Sequence, residues 1–260
     1  QKVEGQNIQH LLWGDSAAKT VTLSFWGKTD RSGGGNMSVS LHSAGTDYWA
    51  KSVALTSTWT KFTIVIPGSQ GVVPANDTSI ELHVSFALVA GTYWQQTAET
   101  WTTSSAYAVS GQTNLMDNTG TDVWITGVQL EVGSIATDFA HEDYGTTLIK
   151  CRRYFHRNDM VIGDTVAIGG SSSTTVARGE YFIPSEMRAA PTITLDNTTD
   201  GWRVIDAGDT ATVTTGVAAV IQANPTSVRF DFTTAGSLTA NSYARLQPAG
   251  TRTFDLSAEL

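Results

Sequence analysis

Residues 20–28, TVTLSFWGK, set Val21, Leu23 and Phe25 on one side and Thr20, Thr22, Ser24 and Trp26 on the other, a period of two that predicts a half-buried strand. Gly33, Gly34 and Gly35 break that pattern, and a second run follows over residues 37–41. A third run centres on Val53 and Leu55. The fourth, residues 59–66, places Phe62, Ile64 and Ile66 on one side before Pro67 and Gly68 end it. Residues 79–89 carry Ile80, Leu82, Val84, Phe86 and Leu88 in alternation, and residues 122–132 carry Val128, Leu130 and Val132. Short strands punctuated by turn residues at this spacing predict two sheets packed face to face, a jelly-roll β-sandwich.

The periodicity changes once. In residues 144–157, YGTTLIKCRRYFHR, Leu148, Cys151 and Phe155 recur at helical spacing among Lys150, Arg152, Arg153 and Arg157. A helix this short is marginal alone and is expected to dock through its apolar side. Beyond it, Gly169–Ser173 reads as a loop, and strands are expected at residues 175–183, 192–195, 202–205, 211–215, 217–221, 227–232, 242–246 and 251–256. The fold expected is therefore all-β. A jelly roll over residues 1–140 precedes a connector with a short helix at 141–157, and a second, smaller β-sandwich-like domain spans 158–260.

Composition fits that outline. Of 260 residues only 15% are charged, so serine, threonine, asparagine and glycine must supply most of the polar surface, and β-branched threonine suits strands. The net charge of −8 argues against a nucleic-acid partner, whose phosphates need clustered cations. No apolar run reaches 18 residues, so no helix crosses a membrane. The first residue is glutamine and no basic-then-apolar leader precedes the first strand, so the chain reads as a fragment. A single cysteine, Cys151, excludes an internal disulfide and a multi-thiolate zinc site.

Reaction chemistry finds little footing. His10, His42, His83, His141 and His156 are scattered, with no His-Glu-x-x-His pattern. The most ligand-like cluster, His141-Glu142-Asp143, suits a helix cap better than a metal. No Gly-x-Ser-x-Gly elbow or phosphate-cradling glycine loop is present, and Cys151 on the apolar side of the helix would be buried and unreactive. Glu81 and Glu131 alternate with apolar neighbours as outward strand residues, not as a glycosidase pair. No catalytic residue, metal or cofactor is expected.

The aromatic residues are more informative. Eight tryptophans are many for this length, and indole faces stack on the apolar faces of sugars. Trp26, Trp59 and Trp124 lie on strands, where core or intersubunit packing is expected. Tyr93, Trp94, Trp101 and Tyr107 lie in the long segment between the fifth and sixth strands, GTYWQQTAETWTTSSAYAVSGQTNLMDNTG. Long connections of this kind often carry function, which makes these four the candidate ligand-binding residues.

Three stretches carry a resemblance: EGQNIQHLLWGDSAAKTVTLSFWGKTDRSG, TDVWITGVQLEVGSIATDFAHEDYGTTLIKCRRYF and YARLQPAGTRTFDLSAEL. They resemble a recurrent C-terminal module of bacteriophage tail fibres and tailspikes, whose first part is similar to carbohydrate-binding jelly rolls. Gly127-Val128-Gln129-Leu130-Glu131, closed by Gly133, and Cys151-Arg152-Arg153-Tyr154-Phe155 are its most specific parts. The resemblance implies a distal virion module in the phage tail. It implies a homotrimer, alongside other tail proteins, recognising a bacterial surface polysaccharide or outer-membrane receptor without hydrolysing it. It also implies further strands upstream of Gln1. It transfers no catalytic residue. A structural trimerisation or capsid-associated module, and the accessory carbohydrate-binding module of a polysaccharide-degrading enzyme, are the competing functions.

Overall fold

A computed structural model describes residues 1–195, 201–207, 211–213, 219–236 and 238–259. The chain divides into two compact units, residues 1–141 and 142–259, and both are built mainly of antiparallel sheets, a two-residue parallel pair in the first unit apart.

The first unit contains β1 (Lys2–Glu4), β2 (Val21–Thr29), β3 (Gly35–Ser43), β4 (Asp47–Leu55), β5 (Thr60–Ile66), β6 (Ile80–Ala87), β7 (Gln95–Gln96), β8 (Ala108–Val109) and β9 (Val123–Val132). One sheet runs β1-β6-β3-β4 and faces a second that runs β5-β2-β9, so the chain crosses between layers as a jelly-roll sandwich does. The period-two residues fill the space between. Val21, Leu23 and Phe25 from β2 meet Met37, Val39 and Leu41 from β3, with Trp49, Ile64, Ile66, Leu82 and Val84 completing the core. Each such side chain contributes about 1.5–3 kcal/mol on burial.

Strand β9 departs from simple alternation. Ser24 pairs with Gln129 and Trp26 with Thr126, so Gly127 and Val128 together oppose Phe25 in a β-bulge. Gly127 sits at φ +58, in the left-handed region that glycine tolerates best. The extra residue reverses the parity of the strand. Val123 and Ile125 pack on the core before the bulge and Leu130 after it, while Val128 and Val132, expected inside, are exposed. Thr22 and Ser24 are buried despite their polar side, and the Thr22 hydroxyl donates to the Gly133 carbonyl at 2.7 Å.

The second unit opens with α1 (Tyr144–Arg152) and continues through β10 (Phe155–Met160), β11 (Ala167–Ser171), β12 (Val176–Phe182), β13 (Thr192–Leu195), β14 (Trp202–Asp206), β15 (Ala211–Val213), β16 (Ala219–Ala223), β17 (Ser227–Thr233), β18 (Tyr243–Pro248) and β19 (Arg252–Ser257). A seven-stranded sheet, β15-β14-β18-β11-β12-β17-β16, and a three-stranded sheet, β10-β19-β13, share a core of Trp202, Phe230, Phe232, Leu246, Phe254 and Leu256. The strands expected at 192–195, 227–232 and 251–256 are found as β13, β17 and β19. Residues 214–215 and 217–218 of two other expected strands lie outside the described residues.

Two expectations fail here. Gly169 to Ser171 form strand β11, not a loop, at the centre of the seven-stranded sheet. A Cβ at Gly169 would lie 1.9 Å from the Arg178 carbonyl oxygen, so glycine is what lets β12 approach. The helix ends at Arg152, because Phe155 already pairs with Ser257 in β10 and β19. Among the described residues no side chain of α1 is buried: Cys151 is exposed, Leu148 is only half-buried, and Phe155 is an exposed strand residue. The helix is begun instead by its cap, with the Thr146 amide donating to Asp143 Oδ1 at 3.0 Å.

Candidate functional site

The outer face of the β1-β6-β3-β4 sheet carries the residues that alternate with the core: Ser38, Ser40 and His42 on β3, Tyr48, Ala50 and Ser52 on β4, and His83 and Ser85 on β6. Small hydroxylic residues leave a shallow floor, and residues 92–115 lie across it as a roof. Ala106, Ala108 and Val109 are buried there. The roof is fastened through its main chain. The Val109 amide donates to Ser38 Oγ at 3.0 Å, and the Asn36 amide donates to Thr113 Oγ1 at 3.0 Å. The Leu115 amide donates to the Leu88 carbonyl at 2.9 Å. Along the free edge of β4, Tyr48 and Thr102 exchange amide–carbonyl bonds of 2.8 and 2.9 Å, which closes an otherwise unpaired edge.

Where the roof meets the sheet, aromatic rings form a continuous ladder. Tyr93 and Trp94 meet edge to face with centroids 4.9 Å apart, Trp94 meets Tyr107 at 5.3 Å, and Tyr107 meets His42 at 4.3 Å. His42 in turn contacts Tyr48 at 4.6 Å and stacks on His83 at 5.4 Å. Such edge-to-face pairs add about 0.5–1.5 kcal/mol each beyond burial. Burial, with the neighbouring His83 second, lowers the His42 imidazole to about 4, so the ring is neutral at physiological pH. Burial lowers His83 as well, aided by Lys2 and the chain's own terminal ammonium. The outer end of the ladder is open to solvent: Tyr93 is 79% and Trp94 42% exposed. Two residues on, the Gln96 side chain buries both its oxygen and its nitrogen without a protein partner, the kind of group that an internal water satisfies.

Three of the four candidate residues, Tyr93, Trp94 and Tyr107, are thus brought together. Trp101 is not among them. Its indole N–H donates to the Pro67 carbonyl at 2.9 Å and its ring meets Trp13 edge to face at 5.6 Å, packed against the core, so it anchors the roof. His42, Tyr48 and His83 were not singled out as site residues, although their alternation with Leu41, Trp49 and Leu82 marks them as facing away from the core.

The strand-borne tryptophans do not belong to the core of the chain. Trp26, Trp59 and Trp124 are 42%, 44% and 37% exposed on the outer face of the β5-β2-β9 sheet. Trp26 was legible from its place opposite Val21, Leu23 and Phe25.

The remaining titratable groups serve local structure. Glu131 accepts from the Thr137 amide at 3.1 Å, and its bonds to Thr137 and Gln129 hold its carboxyl below the usual range. Asp143 is held below its ordinary value by Thr146. Among the described residues no group of three His, Cys, Asp or Glu side chains is placed to hold a metal ion, and no helix is long and apolar enough to cross a membrane. No protein-family model matches the chain, and no curated protein matches it.

Proposed function

We propose that the chain is a non-catalytic receptor-binding module of a bacteriophage tail fibre or tailspike, carried on the virion, and that its first unit recognises a bacterial surface glycan. The observation that supports this most is the exposed Tyr93–Trp94 pair, held rigid from behind by Tyr107 and His42. A pre-ordered aromatic surface loses little side-chain freedom on binding. Trp94→Ala is expected to weaken binding to host cells or isolated surface glycan by about tenfold, equivalent to roughly 1.4 kcal/mol, with the melting temperature unchanged. Binding equal to that of the parent sinks the reading.

A structural trimerisation role is favoured by a different feature, the helix α1. Its nine residues bury no side chain, and a helix that short is marginal in water without a partner. In a homotrimer, the apolar residues Leu148, Ile149 and Cys151 meet other copies of the chain. Light scattering at micromolar concentration is expected to give three times the chain mass, and Leu148→Asp to lower it to one. Trimerisation also multiplies weak glycan binding through avidity.

A further inference from the structure

The outer face of the β5-β2-β9 sheet gathers exposed indoles and lysines. Register places its side chains in two rows. Trp26 lies between Lys61 on β5 and Thr126 on β9. One step along, Lys28 lies opposite Trp124, and Trp59, the residue before β5, flanks it on the other side. The Lys28 ammonium sits 5.2 Å from the Trp59 ring centroid and 4.5 Å from that of Trp124. Cations this close to an indole are attracted by its quadrupole, which fixes the charge between the two rings.

Three features distinguish this face from ordinary surface. Its three indoles are exposed together, whereas single exposed aromatics need no explanation. None of the three indole N–H groups donates to a protein acceptor, and among the described residues neither Lys28 nor Lys61 is ion-paired with a carboxylate. The nearby acid, Glu131, is hydrogen-bonded by Thr137 and Gln129 and lies within electrostatic reach of Lys61, not of Lys28. In a chain of net charge −8, Lys28, held between two indoles and without a carboxylate partner among the described residues, is a local cation centre on this face.

We infer that this face binds carboxylated pyranose units, as in an acidic polysaccharide. The indoles stack on the apolar faces of the sugar rings, their N–H groups donate to hydroxyls, and Lys28 pairs with the carboxylate. A neutral glycan would gain the stacking and leave the central cation unmatched. Low dielectric between two indoles strengthens a lysine–carboxylate pair relative to one in open water. The inference does not rest on the Tyr93–Trp94 reading, since the two surfaces belong to different sheets and share no residue.

Titration of the whole chain with oligogalacturonate and with oligomers of α2,8-linked sialic acid tests it, with maltodextrin as neutral control and oligo-dT as an anionic stacking control. The expected result is binding of at least one acidic sugar, weakened in high salt, and no binding of maltodextrin at this face. Trp124→Ala and Lys28→Gln each lower that affinity at least tenfold with the melting temperature retained, and Trp94→Ala leaves it unchanged. Lys28→Gln keeps the side chain's bulk and removes its charge, so its loss separates recognition from packing. Absence of binding to both acidic sugars, equal binding of maltodextrin, tighter binding of oligo-dT, or indifference to both variants overturns the inference. So does protection of these tryptophans from acrylamide quenching that grows with protein concentration, which assigns the face to a second copy of the chain.

Discussion

The two sheets of the first unit present opposite solutions to the same problem. The outer face of β1-β6-β3-β4 is floored with serines and histidines and is roofed by residues 92–115, so its polar side chains are buried: Ser38, Ser40 and His42 are all inaccessible. The outer face of β5-β2-β9 buries Thr22 and Ser24 at one end but is open at the other, where Trp26, Trp59 and Trp124 meet water. Polarity therefore does not predict exposure on either face. Small side chains leave room for a second layer of main chain, whereas a row of tryptophans and lysines fills that space itself.

The strongest break of this contrast is a charge beneath the roof. Ala108→Glu puts a carboxylate at a wholly buried site and is expected to cost about 3–5 kcal/mol in urea unfolding, against within about 0.5 kcal/mol for Thr126→Glu on the open face. Equal costs would mean that the roof is not packed on the sheet. Next in size, Trp101→Ala removes the Trp13 contact and the bond to Pro67 and should cost about 2–3 kcal/mol, while Trp124→Ala should cost under about 0.5 kcal/mol.

Acid sharpens the comparison further. The folded His42 titrates near 4, below its ordinary 6.5, so on acidification the unfolded chain takes up the proton first. The stabilisation is complete above about pH 6.5 and is lost as pH falls towards 4, on the order of 2 kcal/mol in all. Denaturant midpoints measured across that window should fall for the parent and level off for His42→Asn. The smallest effect belongs to the ladder's outer end, where Tyr93→Ser should leave stability within about 0.5 kcal/mol.

Much of the framework was legible from alternation alone. Val21, Leu23 and Phe25, or Leu82 and Val84, declare a buried side because a strand's geometry forces period two. What escaped has a common cause in backbone-to-backbone events that leave a weak trace in side-chain pattern. The bulge at Gly127 takes Val128 out of the alternation, while Val132, in register with buried Val21, is exposed at the end of its strand. The close approach at Gly169 made a strand from residues that read as a loop. Of the candidate site, Tyr93, Trp94 and Tyr107 came together as a cluster, but nothing in the composition of the loop distinguished Trp101, whose N–H finds a carbonyl 34 positions away. Element type did not sort the tryptophans: Trp26, on a strand, lies outside the core of the chain, and Trp101, in the long segment, packs against it, because parity and hydrogen bonding outrank element type.

The roof's fastenings have an evolutionary consequence. Its amides at Thr102, Val109 and Leu115 hold it to the sheet, and the acceptors are the Tyr48 carbonyl, the Ser38 hydroxyl and the Leu88 carbonyl. A main-chain donor is present in every residue except proline, so the exposed positions of the roof can change without loosening the attachment, whereas the buried Ala106 and Ala108 cannot. Residues 93–94 and 103–105 therefore behave as a replaceable cassette on a fixed mount, in the manner of a hypervariable loop. Substitutions at those few exposed positions would redraw the outer surface and leave the sandwich beneath as it is.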